Sequence, residues 1–389
     1  MISSRYNITE WLSRYWIPGG LVLFLWGIFW APSAHILAVW TPYALLLPAL
    51  LALMLVPQSL PGIKQYPAFW LSALYLGYMT LNTFVLQGEA GVEYVKWSFY
   101  ILLFLIALDR AGTLNEKRFG AILVLVAGTG LLAGAYAIFR DMHSGTFWTP
   151  KYRLKGYVNL YNELRSGFMF GTCALFAFWY SKEISIPGAR RIISATIALL
   201  CILITLLTDS RAPLMALVVA ISWSFMLEKR WLYSGVFLAI STGVMRLFWE
   251  KLSSRGTSLR PEIWRYVWEQ CLAHPWFGIG LTNIPIAVPT TEGIKYNAHN
   301  VPLTVLYQGG LMGLVFFGAT IAATFYQGWR VRHLSAAAVL ALMLHIYALI
   351  CIQFEGLDLC TRPADVWVIL WLPTAVSMYA VRRAYASNR

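Results

Sequence analysis

The chain has 389 residues, 59% hydrophobic and 12% charged, with a net charge of +13 and a mean hydropathy of +0.62. A soluble domain carries about 25% charged residues; half that figure, with 18 Trp and 21 Tyr, excludes an ordinary soluble protein and points to an all-α, polytopic integral membrane protein with aromatics at the water interfaces. The basic surplus does not indicate a nucleic-acid partner, because the Lys and Arg residues sit in loops between apolar runs, where they act as topology signals.

In chain order, the polar opening MISSRYNITEWLSRYW leads into a first apolar run that reads as an uncleaved span. A span needs about 20 mostly apolar residues, fewer when interfacial aromatics flank it. Twelve runs qualify: 16–31, 35–56, 67–86, 94–108, 119–139, 166–181, 191–207, 213–227, 231–248, 301–326, 334–353 and 363–381. The expectation is a single transmembrane domain over 1–389, with about 12 helices, an outer loop at 140–165, and a large outer loop at 249–300 between the ninth and tenth. No internal repeat is visible.

Orientation follows from the Lys and Arg bias of short loops. With the N-terminus cytoplasmic, the inner segments hold sixteen Lys and Arg residues, whereas the short outer loops hold two, Arg211 and Arg362. Both termini are then cytoplasmic. The two long outer segments break the bias, with Arg140, Lys151, Arg153, Lys155 and Arg165 in or just after the first and Lys251, Arg255, Arg260, Arg265 and Lys295 in the second. Long loops cross regardless of charge, so these bases are either tolerated or placed for an anionic ligand on the outer face.

The segments that follow sharpen that choice. In TDSRAP, Arg211 precedes Pro213, which suits the first turn of a helix. Arg211 is thus either a snorkelling arginine at a span end or part of an anion site at a helix N-terminus. In LRPEIWRYVWEQCLAHPWFGIG, Arg260 again precedes a Pro and opens an amphipathic helix over 261–273. Ile263, Trp264, Val267, Trp268 and Cys271 form its apolar face, and the pattern suits a helix lying in the membrane interface. HPWFGIG ends it. His299 and Asn300 stand at the outer mouth of the tenth span. His299 is either a hydrogen-bonded structural residue or a proton acceptor; Asn300 orients the imidazole or binds a sugar hydroxyl. Gly309, Gly310 and Gly313 let helices approach closely. KYRLKGYVNLYNELRSG brings Arg153 and Lys155 together with Tyr157, Asn159, Tyr161, Asn162 and Glu163, a mixture that suits either a phosphate-linked glycan or an interfacial loop. Five cysteines show no metal spacing. A Cys271–Cys360 disulfide is an open alternative. The outer carboxylates Glu163, Asp209, Glu262, Glu355 and Asp358 are scattered, with no paired-carboxylate metal motif, so no metal and no cofactor are expected.

The order of these motifs resembles the O-antigen ligase family and the superfamily it shares with O-antigen polymerases. His299-Asn300, followed after nine residues by Gly310-Leu311-Met312-Gly313, is similar to the ligases' His-Asn…Gly-x-x-Gly motif. TDSRAP and LRPEIW look like the family's two arginine segments and place Arg211 and Arg260 on them. The motif resemblance covers roughly 205–313, and the topology most of the chain. It implies a glycosyltransferase in the bacterial inner membrane with a periplasmic site; the scattered carboxylates make a metal-independent mechanism the simpler expectation, and a direct displacement would be inverting. The implied donor is O-antigen on undecaprenyl pyrophosphate, and the acceptor a sugar hydroxyl of lipid A-core. His299, Arg211 and Arg260 are then the catalytic candidates, and Asn300, Arg153, Lys155, Arg265 and Asn162 the substrate-binding candidates. The alternatives are an O-antigen polymerase and, in a different class, a transporter or flippase for lipid-linked glycans.

Overall fold

In the computed structural model, the residues described are 2–56, 65–149, 152–157, 160, 162–183, 186–247, 259–282, 286–291 and 293–386. Lys151, Asn159, Tyr161, Lys251 and Arg255, singled out above, lie outside them. Thirteen helices follow one another among the described residues: α1 (Asn7–Trp30), α2 (Ala34–Leu55), α3 (Pro67–Gln87), α4 (Val92–Ala111), α5 (Glu116–His143), α6 (Glu163–Ser181), α7 (Gly188–Leu207), α8 (Arg211–Leu227), α9 (Trp231–Leu247), α10 (Arg260–Ala273), α11 (Val301–Val331), α12 (Ala336–Cys351) and α13 (Leu372–Ala386). π-Helical turns interrupt α1 at Leu12–Trp16 and α2 at Pro42–Leu46 and lead into α13 at Trp367–Trp371. An antiparallel hairpin, β1 (Ala287–Thr290) and β2 (Gly293–Tyr296), lies between α10 and α11.

Each of the twelve apolar runs overlaps a helix. α1, α2, α3, α5, α7 and α11 are long and apolar enough to cross a bilayer, and α8, α9 and α12 are shorter apolar helices. The helices outside both groups sit mostly at the centre. α6 and α13 are buried along nearly their whole length, with Ser, Thr, Gly and Cys among the buried positions. A helix surrounded by other helices has no lipid to face, so it needs less apolar character than one at the rim. α9 shows the reverse: only Ser234 is buried among its residues.

Small residues set the close approaches. A Cβ on Gly171 would overlap the Tyr347 hydroxyl, which donates to the carbonyls of Gly167 and Phe168 at 3.2 and 3.1 Å and ties α12 to α6. Phe119 and Tyr379 stack with centroids 4.0 Å apart, and Trp367 packs on Phe24 and Phe104. Side-chain caps start several helices, as the Ser, Thr, Asp and Asn preference at that position predicts: Ser33 for α2, Asn115 for α5, Asn162 for α6 and Asn300 for α11.

α10 begins at Arg260, one residue before the expected start, and buries Ile263, Val267 and Cys271 against Val288 and Ala298. Trp268 stays exposed. Cys271 therefore belongs to the small cluster under α10. Cys360 instead lies beside the Ser98 hydroxyl at 3.1 Å in the main core. Both thiols are free, and burial pushes the Cys271 thiol up to about 11.

The glycine step in α11 does more than permit helix contact. Gly309 and Gly313 do press on Met79 of α3, but Gly310 has φ 62° and ψ −165°, a break inside the helix. The HPWFGIG segment fills that break. The amides of Leu311 and Met312 donate to the carbonyls of Pro275 and Trp276, and those of Ile279 and Gly280 donate to Tyr307 and Gln308. α3 closes the other side, with Asn82 Nδ2 donating to the Phe277 carbonyl at 2.7 Å and Gln87 Nε2 to that of Ile279 at 2.8 Å. The two glycine-rich motifs are thus halves of one joint, in which loop carbonyls and amides satisfy the backbone groups that the broken helix leaves open.

Candidate functional site

Three turns present the arginines and the histidine. Asp209 has φ 50°, two residues before Arg211; Leu259 has φ 58°, immediately before Arg260; Asn297 has φ 77° and His299 itself φ 48°. Only one other non-glycine residue among those described, Lys229, has positive φ. This conformation costs about 1–3 kcal/mol for a side-chain-bearing residue and persists where the surroundings over-determine it. Its concentration around one place marks that place as built. Pro213 and Pro261 lie in the first turns of α8 and α10, and neither helix has a side-chain cap at its start.

These turns surround a cavity of about 510 Å³. Arg211, Arg260 and His299 all line it, together with Arg153, Asn162 and Trp264. The wall also carries Glu163, Asp209 and Glu355, so the cations and carboxylates roughly balance. Glu163 is held by Arg153 at 3.5 Å and by Lys155 at 3.7 Å. Arg165 reaches Glu355 at 3.8 Å and Asp365 at 3.5 Å. Arg153 also donates to the Ser210 hydroxyl at 3.3 Å, beside Arg211. Arg260 donates to the Phe354 carbonyl at 3.2 Å and lies over the Phe354 ring. Burial pushes the Arg260 guanidinium below its usual range; Arg211 adds to this and Glu355 opposes it. An anionic ligand would relieve that repulsion between the two guanidinium groups.

His299 is about one third exposed, with Nδ1 3.8 Å from the buried Glu355 carboxylate. Its backbone is held by the same loop: a Cβ on Gly356 would lie 3.1 Å from the His299 nitrogen, and Trp264 donates to the neighbouring Ala298 carbonyl at 3.0 Å. With Nδ1 turned to Glu355, Nε2 is the ring nitrogen left for a ligand. Imidazole, carboxylate and Arg165 form a chain from the cavity into the protein. Catalytic hydrogen bonds are often long before substrate binds.

The remaining expected contacts divide. Asn162 lines the cavity, although its Oδ1 accepts from the amides of Leu164 and Arg165. Lys155 stands behind Glu163. Asn300 is not among the lining residues. Its Oδ1 caps α11 through the Leu303 amide, and its Nδ2 donates to Gln353, so Glu355, not Asn300, faces the imidazole. Arg265 is exposed on α10 and is not part of the wall. Glu355 and Phe354 were not legible as site residues, because their places depend on a chain return more than 50 residues beyond His299. Among the described residues, no three His, Cys, Asp or Glu side chains are grouped to hold a metal ion.

The fold and site define a class: a predominantly helical, multi-pass membrane protein with a cavity of arginines, a histidine and carboxylates where α6, α8, α10 and α11 begin. Residues 196–318 match the family described as O-Antigen ligase, and that stretch carries Arg211, Arg260 and His299. The chain is also 28% identical over 395 aligned residues, 99% of its own length, to an O-antigen ligase of Pseudomonas aeruginosa, of which it covers 96%. Both findings agree with the family resemblance read from the motifs.

Proposed function

We propose that this protein transfers O-antigen from undecaprenyl pyrophosphate to a sugar hydroxyl of lipid A-core, with inversion at the transferred carbon, on the periplasmic face of the inner membrane. The observation that carries the reading is the gathering of Arg211, Arg260 and His299 around one cavity. In this reading the chain crosses the membrane twelve times, both termini are cytoplasmic, and α10 lies in the outer loop 249–300.

The acceptor hydroxyl oxygen attacks the anomeric carbon while its proton passes to His299 Nε2. The bond from that carbon to the pyrophosphate oxygen breaks, and its electron pair leaves with the diphosphate. Arg211 and Arg260 stabilise the charge growing there. Such stabilisation works best from groups already fixed in place, and helix starts fix them. Arg153 and Asn162 bind the donor from the α6 side. Glu355 orients His299 and offsets the positive charge it acquires. No nucleotide is required, because the broken bond is already activated.

The test is transfer in vitro from a defined lipid-pyrophosphate glycan to purified lipid A-core, without nucleotide or added metal. Ligated lipopolysaccharide of inverted configuration is the expected product. Extension of the lipid-linked glycan with no capped core would assign polymerase chemistry instead. Arg260→Lys should lose much of the rate, since a point charge cannot replace the bidentate fork.

A further inference from the structure

A second cavity, of about 560 Å³, opens at the same end of the bundle and shares no lining residue with the first. It lies between α2 and α4. Val39, Tyr43, Leu47 and Leu50 line it from one face of α2, at helical spacing, and the first three are exposed. The π-helical turn Pro42–Leu46 interrupts α2 at this level. From His35 to Leu50 the helix rises about 22 Å, more than the roughly 15 Å half-thickness of a bilayer's hydrocarbon core. The groove therefore runs the depth of one leaflet, and its wall is the apolar surface a lipid chain contacts.

Its upper end is polar. Lys96, Arg362, His35 and Glu93 all line it. Lys96 lies about one turn inside α4, where a charge at membrane level is costly unless paired. Its ammonium sits over Trp97 at 4.5 Å and Tyr100 at 5.9 Å. Among the described residues, neither Lys96 nor Arg362 pairs with a carboxylate, Glu93 included. Two cations against one carboxylate leave the rim positive. A guanidinium and an ammonium lining one groove head suit a phosphate, which arginine binds in bidentate fashion.

We propose that this groove binds an anionic membrane lipid, with its phosphate head group between Lys96 and Arg362 and an acyl chain along Val39, Tyr43, Leu47 and Leu50. The occupant is a lipid of the leaflet on the side of the catalytic cavity. The proposal does not depend on the transfer reaction. It has a structural consequence nonetheless, because Arg362 shares its loop with Phe354 and Glu355, which line the first cavity.

Native mass spectrometry of the full chain, titrated with phosphatidylglycerol or phosphatidylcholine of matched chains, tests it. Phosphatidylglycerol should be retained preferentially, and Lys96→Gln/Arg362→Gln should weaken it at least tenfold without changing phosphatidylcholine retention. Leu47→Trp, which fills the groove, should reduce phosphatidylglycerol retention with the head-group residues intact. Arg362→Gln alone, in a loop, keeps the test open should the double variant fail to fold. Equal retention of the two lipids, unchanged retention in the variants, or full displacement by millimolar inorganic phosphate would overturn the proposal.

Discussion

The cavity and the helix contacts far from it use charge in opposite ways. Far from the site, three charged groups are held in short contacts between helices: Arg382 reaches the buried Asp109 at 2.6 Å, Lys182 reaches Glu228 at 2.5 Å, and the neutral Ser335 hydroxyl donates to Glu116 at 2.5 Å. Around the cavity, the pairs are looser, at 3.5–3.8 Å, and strained turns adjoin Arg211, Arg260 and His299. Short pairs between helices consume their own charge and hold packing together. Spaced groups around a void keep their charge for something that enters it.

On that contrast, substitutions in the two regions should fail differently. The largest effects on chemistry should come from His299→Ala and Arg211→Ala. Base catalysis typically contributes about 10²–10⁴-fold, and loss of one charge-stabilising donor about 10²–10³-fold. Transfer by each purified variant should fall accordingly, while membrane levels and melting temperature stay near those of the parent. Asp109→Ala should do the reverse. Removing one partner of a buried pair costs about 3–5 kcal/mol, so folded protein recovered in detergent should drop sharply, with the surviving fraction transferring glycan at nearly the parental rate.

A smaller effect sharpens the account of the site itself. Glu355→Gln keeps the shape but removes the charge facing His299, and transfer should fall at least about tenfold, as expected when an orienting carboxylate is lost. An unchanged rate would reduce Glu355 to a partner of Arg165. The smallest effect is expected at Asp358, whose carboxyl burial pushes above the usual range, while Gln308 and Arg165 work against the rise. A raised folded-state value means stability is fully present below the unfolded carboxyl range and is lost as pH rises through the folded one. Asp358→Asn should keep an acceptor for the Gln308 amide, now 3.3 Å from Asp358 Oδ1. It should flatten the fall in melting temperature across mildly acidic pH.

Much of this was legible in the sequence, for physical reasons. Apolar runs bounded by polar residues located the helices, since a lipid-exposed backbone must satisfy its own hydrogen bonds. A proline one or two residues after an arginine marked the starts of α8 and α10, because proline fits the first turn and no later one. The role of Asn300 was also available: an Asn followed by Val-Pro is a cap signal, and a polar side chain that caps its own helix is not free to orient a neighbour. The Gly310 break was not legible, because Gly-Gly in an apolar run reads equally as close helix contact; only the return of HPWFGIG onto it distinguishes the two. Glu355 was hidden for the same reason. It is one of several loop carboxylates until the Cys351–Asp365 return brings it beside His299.

The central claim is that Arg211 and Arg260 grip one diphosphate. A double-mutant cycle on the affinity of the purified protein for undecaprenyl pyrophosphate, using Arg211→Ala, Arg260→Ala and the pair, tests this most directly. Residues sharing a ligand couple by about 0.5–3 kcal/mol, so the double variant should bind detectably tighter or weaker than the product of the single losses. Strict additivity, or single variants that bind as the parent does, would contradict the account.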